Sequence, residues 1–278
     1  TIEKSSKKMS IALLLLCIGS VSVSGFPSTK KGVCVSPKGY QCTDLEQFSD
    51  LVWWYDWSLK PAYKKRGDCT NVPIQERVAM KKAMAWPNLN IPNGTKYLLG
   101  FNEPNVIDQA NMTPQEAANY WPQIEAAATS ANVDGLVSPS ATYCGGGSAK
   151  CITQSAFEWF DAFFAICSNC RIDYVATHHY TCDPAKTMDY LAAVYAAYGK
   201  QIWLTEFACP SNDFTTVSNY MSAVLPLLEE APYVFRYSWY TTRISNSNAY
   251  IPPMNALLES GGTGLTALGQ IYDSFQPA

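Results

Sequence analysis

Two glutamates in this sequence each close a run of residues that has to be buried. Tyr97-Leu98-Leu99-Gly100-Phe101 leads into Asn102-Glu103-Pro104-Asn105, and Ile202-Trp203-Leu204-Thr205 leads into Glu206-Phe207-Ala208. A carboxylate at the end of a buried strand must be solvated at the rim of the fold or be paired, because uncompensated burial of its charge is too unfavourable. One such residue is equally well a strand-end cap or an ion-pair partner. Two on the same rim meet the requirement for cleaving a glycosidic bond without a metal. One carboxyl group protonates the departing oxygen while the other attacks, or stabilises, an oxocarbenium-like centre. Their mutual repulsion raises one pKa, so that a proton stays available near neutral pH while the partner is ionised, and the pair titrates as a unit.

His178 and His179 are the only histidines in the chain. Adjacent residues on a strand point to opposite faces, so at most one of them faces inward, which argues against a two-histidine metal site. His178 is the candidate to orient a glutamate or a sugar hydroxyl, with a hydrogen-bonded core imidazole as the alternative. Tyr180, on the same rim, is placed either to hydrogen-bond the second glutamate or to pack. Sugar rings present flat C–H faces that aromatic side chains cover well. Trp54, Trp239 and Tyr240 lie near strand ends and are the candidate platforms, Trp239 first among them, whereas Trp53 or Trp57 is expected to pack between sheet and helices. Cys167-Ser168-Asn169-Cys170 is a single CxxC with no second half, so no zinc site is expected. Gly145-Gly146-Gly147 precedes no helix start with Lys-Ser/Thr and is no phosphate loop. The chemistry therefore needs neither metal nor organic cofactor.

These residues need a scaffold that brings distant strand ends to one rim. Strand candidates are Lys31–Ser36, Asp50–Trp57, Thr70–Gln75, Lys96–Glu103, Asp134–Ser140, Ile172–His179, Gln201–Phe207 and Tyr233–Tyr240. Helical stripes fall between them. Ala117, Tyr120, Trp121, Ile124 and Ala128 recur behind Thr113-Pro114-Gln115-Glu116, a capping box with proline at the first helical position. Further stripes run through Ala156, Phe160, Phe163, Phe164 and Cys167, through Met188, Leu191, Tyr195 and Tyr198, and through Val217, Tyr220, Met221, Val224 and Leu228. Pro122 and Pro226 are expected to kink or shorten their helices, and Leu265–Tyr272 reads as a closing helix. Eight strands with following helices predict an α/β fold, a single (β/α)8 TIM-type barrel, whose functional groups gather at the carboxyl ends of the strands.

Composition agrees with a secreted globular protein. The chain has 278 residues, ten cysteines, 13% aromatic and only 15% charged residues. A net charge of −3 offers no basic face for nucleic acid, so the expected partner is a neutral glycan and the chain is expected to act as a monomer. Lys4, Lys7 and Lys8 precede the apolar run Ile11–Val23, which is too short to cross a bilayer. Residues 1–24 read as a secretory signal peptide, leaving 25–278 as one catalytic barrel with no membrane attachment after cleavage. Nine cysteines then remain, most of them expected to pair in an oxidising compartment, with Cys34–Cys42 and Cys144–Cys151 as short-loop pairings and one thiol left over. Asn93-Gly94-Thr95 and Asn111-Met112-Thr113 are glycan acceptor sequences.

The motifs resemble a family. Asn102-Glu103 after one strand with Glu206 three strands later looks like the large clan of retaining β-glycosidases built on this barrel. More narrowly, Leu98–Asn105, Trp203–Phe207 and Gly264-Leu265-Thr266-Ala267-Leu268-Gly269 are similar to glycoside hydrolase family 128, known as β-1,3-glucanases. Trp53-Trp54-Tyr55-Asp56-Trp57 and Ile172–Tyr180 match its second and sixth strands, and the resemblance spans residues 31 to 273. It implies Glu103 as acid/base, Glu206 as nucleophile and Asn102 as donor to the sugar 2-hydroxyl. Two departures concern the sugar subsites: the third strand lacks a Met or Trp ending, and His178-His179-Tyr180 stands where a His-Trp-Tyr order is common. The implied protein is a secreted, endo-acting β-1,3-glucanase of the extracellular space or cell wall. The alternatives are a hydrolase of another β-glycan such as mannan or xylan, or an idle glycan-binding or wall protein on the same barrel. Keeping both glutamates argues against the last.

Overall fold

The computed structural model describes residues 26–37, 39–61, 75–85, 88–144, 150–153, 155–244 and 250–278. The expected signal peptide lies outside them. One sheet is built from β1 (Lys31–Cys34), β2 (Trp53–Tyr55), β3 (Glu76–Arg77), β4 (Ala79–Met80), β5 (Tyr97–Leu99), β6 (Gly135–Thr142), β7 (Tyr174–Tyr180), β8 (Ile202–Ala208) and β9 (Val234–Tyr240). Its order is β3-β2-β1-β9-β8-β7-β6-β5-β4, and every ladder is parallel. The two edge pieces are halves of one strand broken only at Val78. The Val78 N–H bonds Trp54 O at 2.9 Å on one side, and the Lys81 N–H bonds Leu99 O at 2.9 Å on the other, so the ring of eight closes as expected.

The third strand differs from expectation. Residues 70–74 lie outside the described set, and the strand runs through Glu76 to Met80, so it does end in methionine. Its charged opening hid it. Glu76 and Arg77 tolerate the sheet because Arg236 and Lys96 meet Glu76, while Arg77 meets Asp56 at 2.6 Å.

Five α-helices among the described residues follow strands: α1 (Pro114–Ser130), α2 (Ala156–Ile166), α3 (Pro184–Tyr198), α4 (Phe214–Glu230) and α5 (Ala267–Ser274). Among the described residues no α-helix follows β1, β2 or β4, and the first crossover has only the short 3-10 turn Leu45–Gln47. The Thr113–Glu116 capping box forms, and Ser155, Asp183, Asp213 and Thr266 accept first-turn N–H bonds in the same way. Neither Pro122 nor Pro226 ends its 17-residue helix. Both rings lie off the buried stripe. In α3 the buried face is Thr187, Tyr190, Leu191 and Val194, rotated from the expected Met188–Tyr198 stripe.

Strand alternation sorts the aromatics into two layers. Cys34, Trp53, Tyr55, Val78, Met80, Leu99, Val137, Ala176 and Trp203 fill the barrel interior. Val33, Trp54, Leu98, Leu136, Val175, Leu204, Tyr237 and Trp239 face the helices. Gly32 makes room for the inner layer, since a Cβ there would stand 2.3 Å from the Trp53 indole. The amino-terminal mouth is filled by Tyr97, Tyr174, Trp203 and Phe235, with the Arg236 guanidinium 4.9 Å from the Tyr97 ring and 5.0 Å from that of Trp203.

Cys144–Cys151 pairs as expected, and Cys167–Cys170 and Cys182–Cys209 are also bridged. The Cys34–Cys42 pairing is overturned. Cys34 ends a strand with its side chain inside the barrel, 3.1 Å from Trp239 O, and is free and buried, whereas Cys42 belongs to another disulfide. Asn93 and Asn111 are exposed. Among the described residues no helix is long and apolar enough to cross a membrane.

Candidate active site

Both glutamates reach the same end of the barrel through local irregularities. β5 stops at Leu99, the chain continues along β6 through the Asn102–Ser140 bridge and the Glu103 N–H to Ser140 O bond of 3.1 Å, and Glu103 then turns with φ 43°. That left-handed conformation is unfavourable for a residue with a side chain and persists only where surroundings impose it. On β8 the register against β7 jumps from Leu204↔Thr177 to Glu206↔His178, leaving Thr205 as the extra residue. Trp203 points inward and Leu204 outward, so simple alternation would send Glu206 toward the helices. The bulge re-aims it into the barrel.

The two carboxyl groups meet across His178. An oxygen of each glutamate and a nitrogen of His178 all lie within 4.8 Å of one another. His178 Nδ1 is 2.9 Å from Glu103 Oε1, and its Nε2, which has no hydrogen bond among the described residues, is 3.5 Å from Glu206 Oε1. Glu206 Oε1 also accepts from the Trp57 indole N–H at 2.7 Å and the Tyr55 hydroxyl at 3.3 Å, and Oε2 accepts from the Tyr180 hydroxyl. Burial raises the Glu206 pKa, and the charge of Glu103 raises it further, against the opposing pull of His178, Tyr180 and Trp57. Burial lowers the His178 pKa, but the Glu206 charge and the Glu103 hydrogen bond more than offset it, leaving the ring above the usual histidine value. The ring thus holds a proton more readily than an isolated histidine does. Burial, then the Glu206 charge, holds the Tyr55 and Tyr180 hydroxyls well above the usual phenol range, so both remain donors. Because Nδ1 is engaged by Glu103, Nε2 and the carboxylate oxygens are the atoms this cluster would offer a cation.

Above the pair opens a groove of about 640 Å³. Asn102, Glu103, Tyr180, Glu206 and Tyr240 line it, and His178 lies buried beneath. The Asn102 amide donates to Gln109 Oε1 at 3.2 Å, and its Oδ1 is buried without a hydrogen bond among the described residues. His179 points the other way, stacked on Tyr190, with burial lowering its pKa to about 4.

Trp54 and Trp239 are not platforms. Both belong to the outer layer, at 1% and 0% exposure. Trp54 lies against the Arg77 guanidinium, and the Trp239 indole N–H bonds Asn255 O at 2.8 Å. Neither Trp53 nor Trp57 packs between sheet and helices: Trp53 fills the barrel interior, and Trp57 lines the groove together with Tyr143 and Tyr250, which are 51% and 61% exposed. One wall joins the loops after β5 and β6 through the Val106–Cys151 bridge, beside the Cys144–Cys151 disulfide.

Comparison with known proteins bears on this geometry. The family described as Glycosyl hydrolase catalytic core matches residues 32–272. Alkali-sensitive linkage protein 1 of Schizosaccharomyces pombe is 33% identical over 188 residues, 65% of this chain and 33% of that protein, so the match spans about a third of that relative's length. A family 128, subgroup II endo-β-1,3-glucanase from Sorangium cellulosum is 33% identical with a TM-score of 0.74, covering 90% of this chain and 100% of that one. A subgroup I endo-β-1,3-glucanase from Amycolatopsis mediterranei, solved with laminaritriose, is 25% identical with a TM-score of 0.68, covering 89% and 99%. The barrel, the paired glutamates and the near full-length match agree: this chain belongs to the glycosyl hydrolase catalytic-core family, glycoside hydrolase family 128.

Proposed function

We propose that the protein is a secreted, monomeric, retaining endo-β-1,3-glucanase that uses Glu103 as acid/base and Glu206 as nucleophile. The observation that carries retention is the approach of the two carboxyl groups, with oxygens within 4.8 Å. Retaining pairs stand ~5–5.5 Å apart, whereas inverting pairs need ~6.5–9.5 Å to admit a water. In the first step Glu103 gives its proton to the glycosidic oxygen as the C1–O bond breaks, and a Glu206 oxygen bonds C1 from the opposite face. In the second, ionised Glu103 takes a proton from water, the water oxygen bonds C1, and Glu206 leaves as carboxylate. The donors on Glu206 support an anion there, and Asn102 Oδ1, unpaired among the described residues, supports Asn102 as acceptor from a sugar hydroxyl rather than the donor that the resemblance implies. Tyr240 and Tyr180, with the exposed Tyr143 and Tyr250, give the groove the aromatic surface that glucose rings favour.

The β-1,3 linkage rests on the two relatives above, and export on the three described disulfides, which suit an oxidising compartment. Proton NMR of laminarin-type oligosaccharides during hydrolysis tests the mechanism: the β-anomer should appear first and mutarotate later. Early α-anomer would overturn retention, and absence of reducing ends from β-1,3-glucan alongside cleavage of a β-1,4-glycan would overturn the substrate.

A further inference from the structure

We infer that Trp57 positions the nucleophile: its indole N–H fixes the Glu206 carboxylate while its ring forms the adjoining wall of the sugar site. The indole Nε1 is 2.7 Å from Glu206 Oε1, the shorter of the two contacts that β2 and its following turn make to that oxygen, and the ring is part of the groove lining. Its backbone supplies a second observation. Trp57 has φ 52°, a conformation that a bulky residue avoids unless something holds it.

Arg77 holds it. Its guanidinium binds Asp56 Oδ1 at 2.6 Å, Ser58 O at 2.7 Å and Leu59 O at 2.9 Å, while the Ser58 hydroxyl bonds Asp56 Oδ1 at 2.8 Å. The residues on either side of Trp57 are thereby tied to the third strand of the barrel. The ring is fixed edge-on between Tyr55, at 5.2 Å between centroids, and Tyr240, at 5.9 Å. A strained turn, a guanidinium that locks it and two ring contacts converge on one result, an N–H aimed at the attacking group. Such a donor keeps the charge on one oxygen and restricts the carboxylate's rotation, which is worth about ten- to a hundred-fold for a hydrogen bond to a charged group.

The left-handed backbone also provides the test, because glycine occupies that conformation freely. Trp57→Gly should fold and leave an indole-sized hole beside Glu206. Its kcat on laminarin-type glucan should fall at least about ten-fold. Added indole should restore part of that loss, whereas benzofuran, equal in shape but lacking the N–H, should not. Equal rescue by both, or an unchanged kcat, overturns the inference in favour of packing alone. Trp57→Phe gives a second reading, in which the acidic limb of kcat/KM should move up by about one pH unit as Glu206 loses a donor. The kinetic arms rest on the hydrolase reading, so a third measurement stands apart from it. Carboxyl-13C glutamate NMR should show the Glu206 titration displaced upward in Trp57→Phe. An undisplaced titration overturns the inference even if the wild type cleaves no glucan, and a wild type inactive on glucan with a displaced titration faults the substrate reading alone.

Discussion

Glu206 is 4% exposed, and burial raises its pKa, so the ionised form that the proposed nucleophile role requires carries a charge the fold disfavours relative to the unfolded chain. The sign of the linkage follows. A carboxyl group whose folded pKa lies above the unfolded value binds its proton more tightly when folded, so stability falls as pH rises from the unfolded value through the folded one. Glu206→Gln removes that charge and keeps an oxygen for the Trp57 and Tyr55 donors. It should cut kcat by at least ~10³-fold while raising the melting temperature at pH 7 by a few degrees. Calorimetry beside glucan turnover checks both halves. A clear drop in melting temperature would show that the donors, not the desolvation, dominate. Sequence made this residue and Glu103 legible because a carboxylate after an apolar run is rare. His178 and Tyr180 followed from lying on the same strand end. Thr205 was not legible as the bulge that turns Glu206 inward, since threonine suits a regular strand equally well.

At the scale of elements, the face a strand presents decides what its aromatics do. Trp239 and Tyr240 are adjacent, so alternation lets only one of them face the groove, and it is Tyr240. In Trp53-Trp54-Tyr55-Asp56-Trp57 four of the five positions are aromatic and each parity carries a tryptophan, so which face each ring takes could not be read from the sequence. Trp239 instead belongs to a clamp on β8. The buried Asn255 side chain accepts from the Cys209 N–H at 3.2 Å and donates to Cys209 O at 2.9 Å, while Asn255 O accepts from the Trp239 indole. Cys209 is bridged to Cys182, just beyond Tyr180, so the strand ends carrying Tyr180 and Glu206 are fastened together. Trp239→Phe leaves Asn255 O buried without its donor and should destabilise the protein by about 1–3 kcal/mol. KM for glucan should stay within about two-fold. Chemical denaturation and steady-state kinetics on one preparation check this, and a KM raised ten-fold at unchanged stability would return Trp239 to the sugar site.

Across the whole molecule the barrel's two mouths have different work. The carboxyl-terminal mouth carries a groove, bent backbone at Trp57 and Glu103, and a buried acid. The amino-terminal mouth is packed with rings around Arg236, whose guanidinium also reaches Glu76 at 3.4 Å on the strand that closes the ring. In barrels of this kind, residues at the amino-terminal face serve stability and those at the carboxyl-terminal face serve chemistry. The barrel itself was legible from the count of apolar runs, whereas the closing strand was not, because its Glu76-Arg77 opening becomes strand-like only through partners 160 residues away in the chain or on neighbouring strands. Arg236→Ala tests the division of labour. It removes a cation from between Tyr97 and Trp203 and leaves Glu76 with Lys96 alone, for a loss of about 2–4 kcal/mol. Assayed well below the lowered melting temperature, kcat/KM on β-1,3-glucan should match the unmodified enzyme. A kinetic defect of ten-fold or more would mean that strain at the barrel floor reaches Glu206 through Trp203, three residues earlier on the same strand.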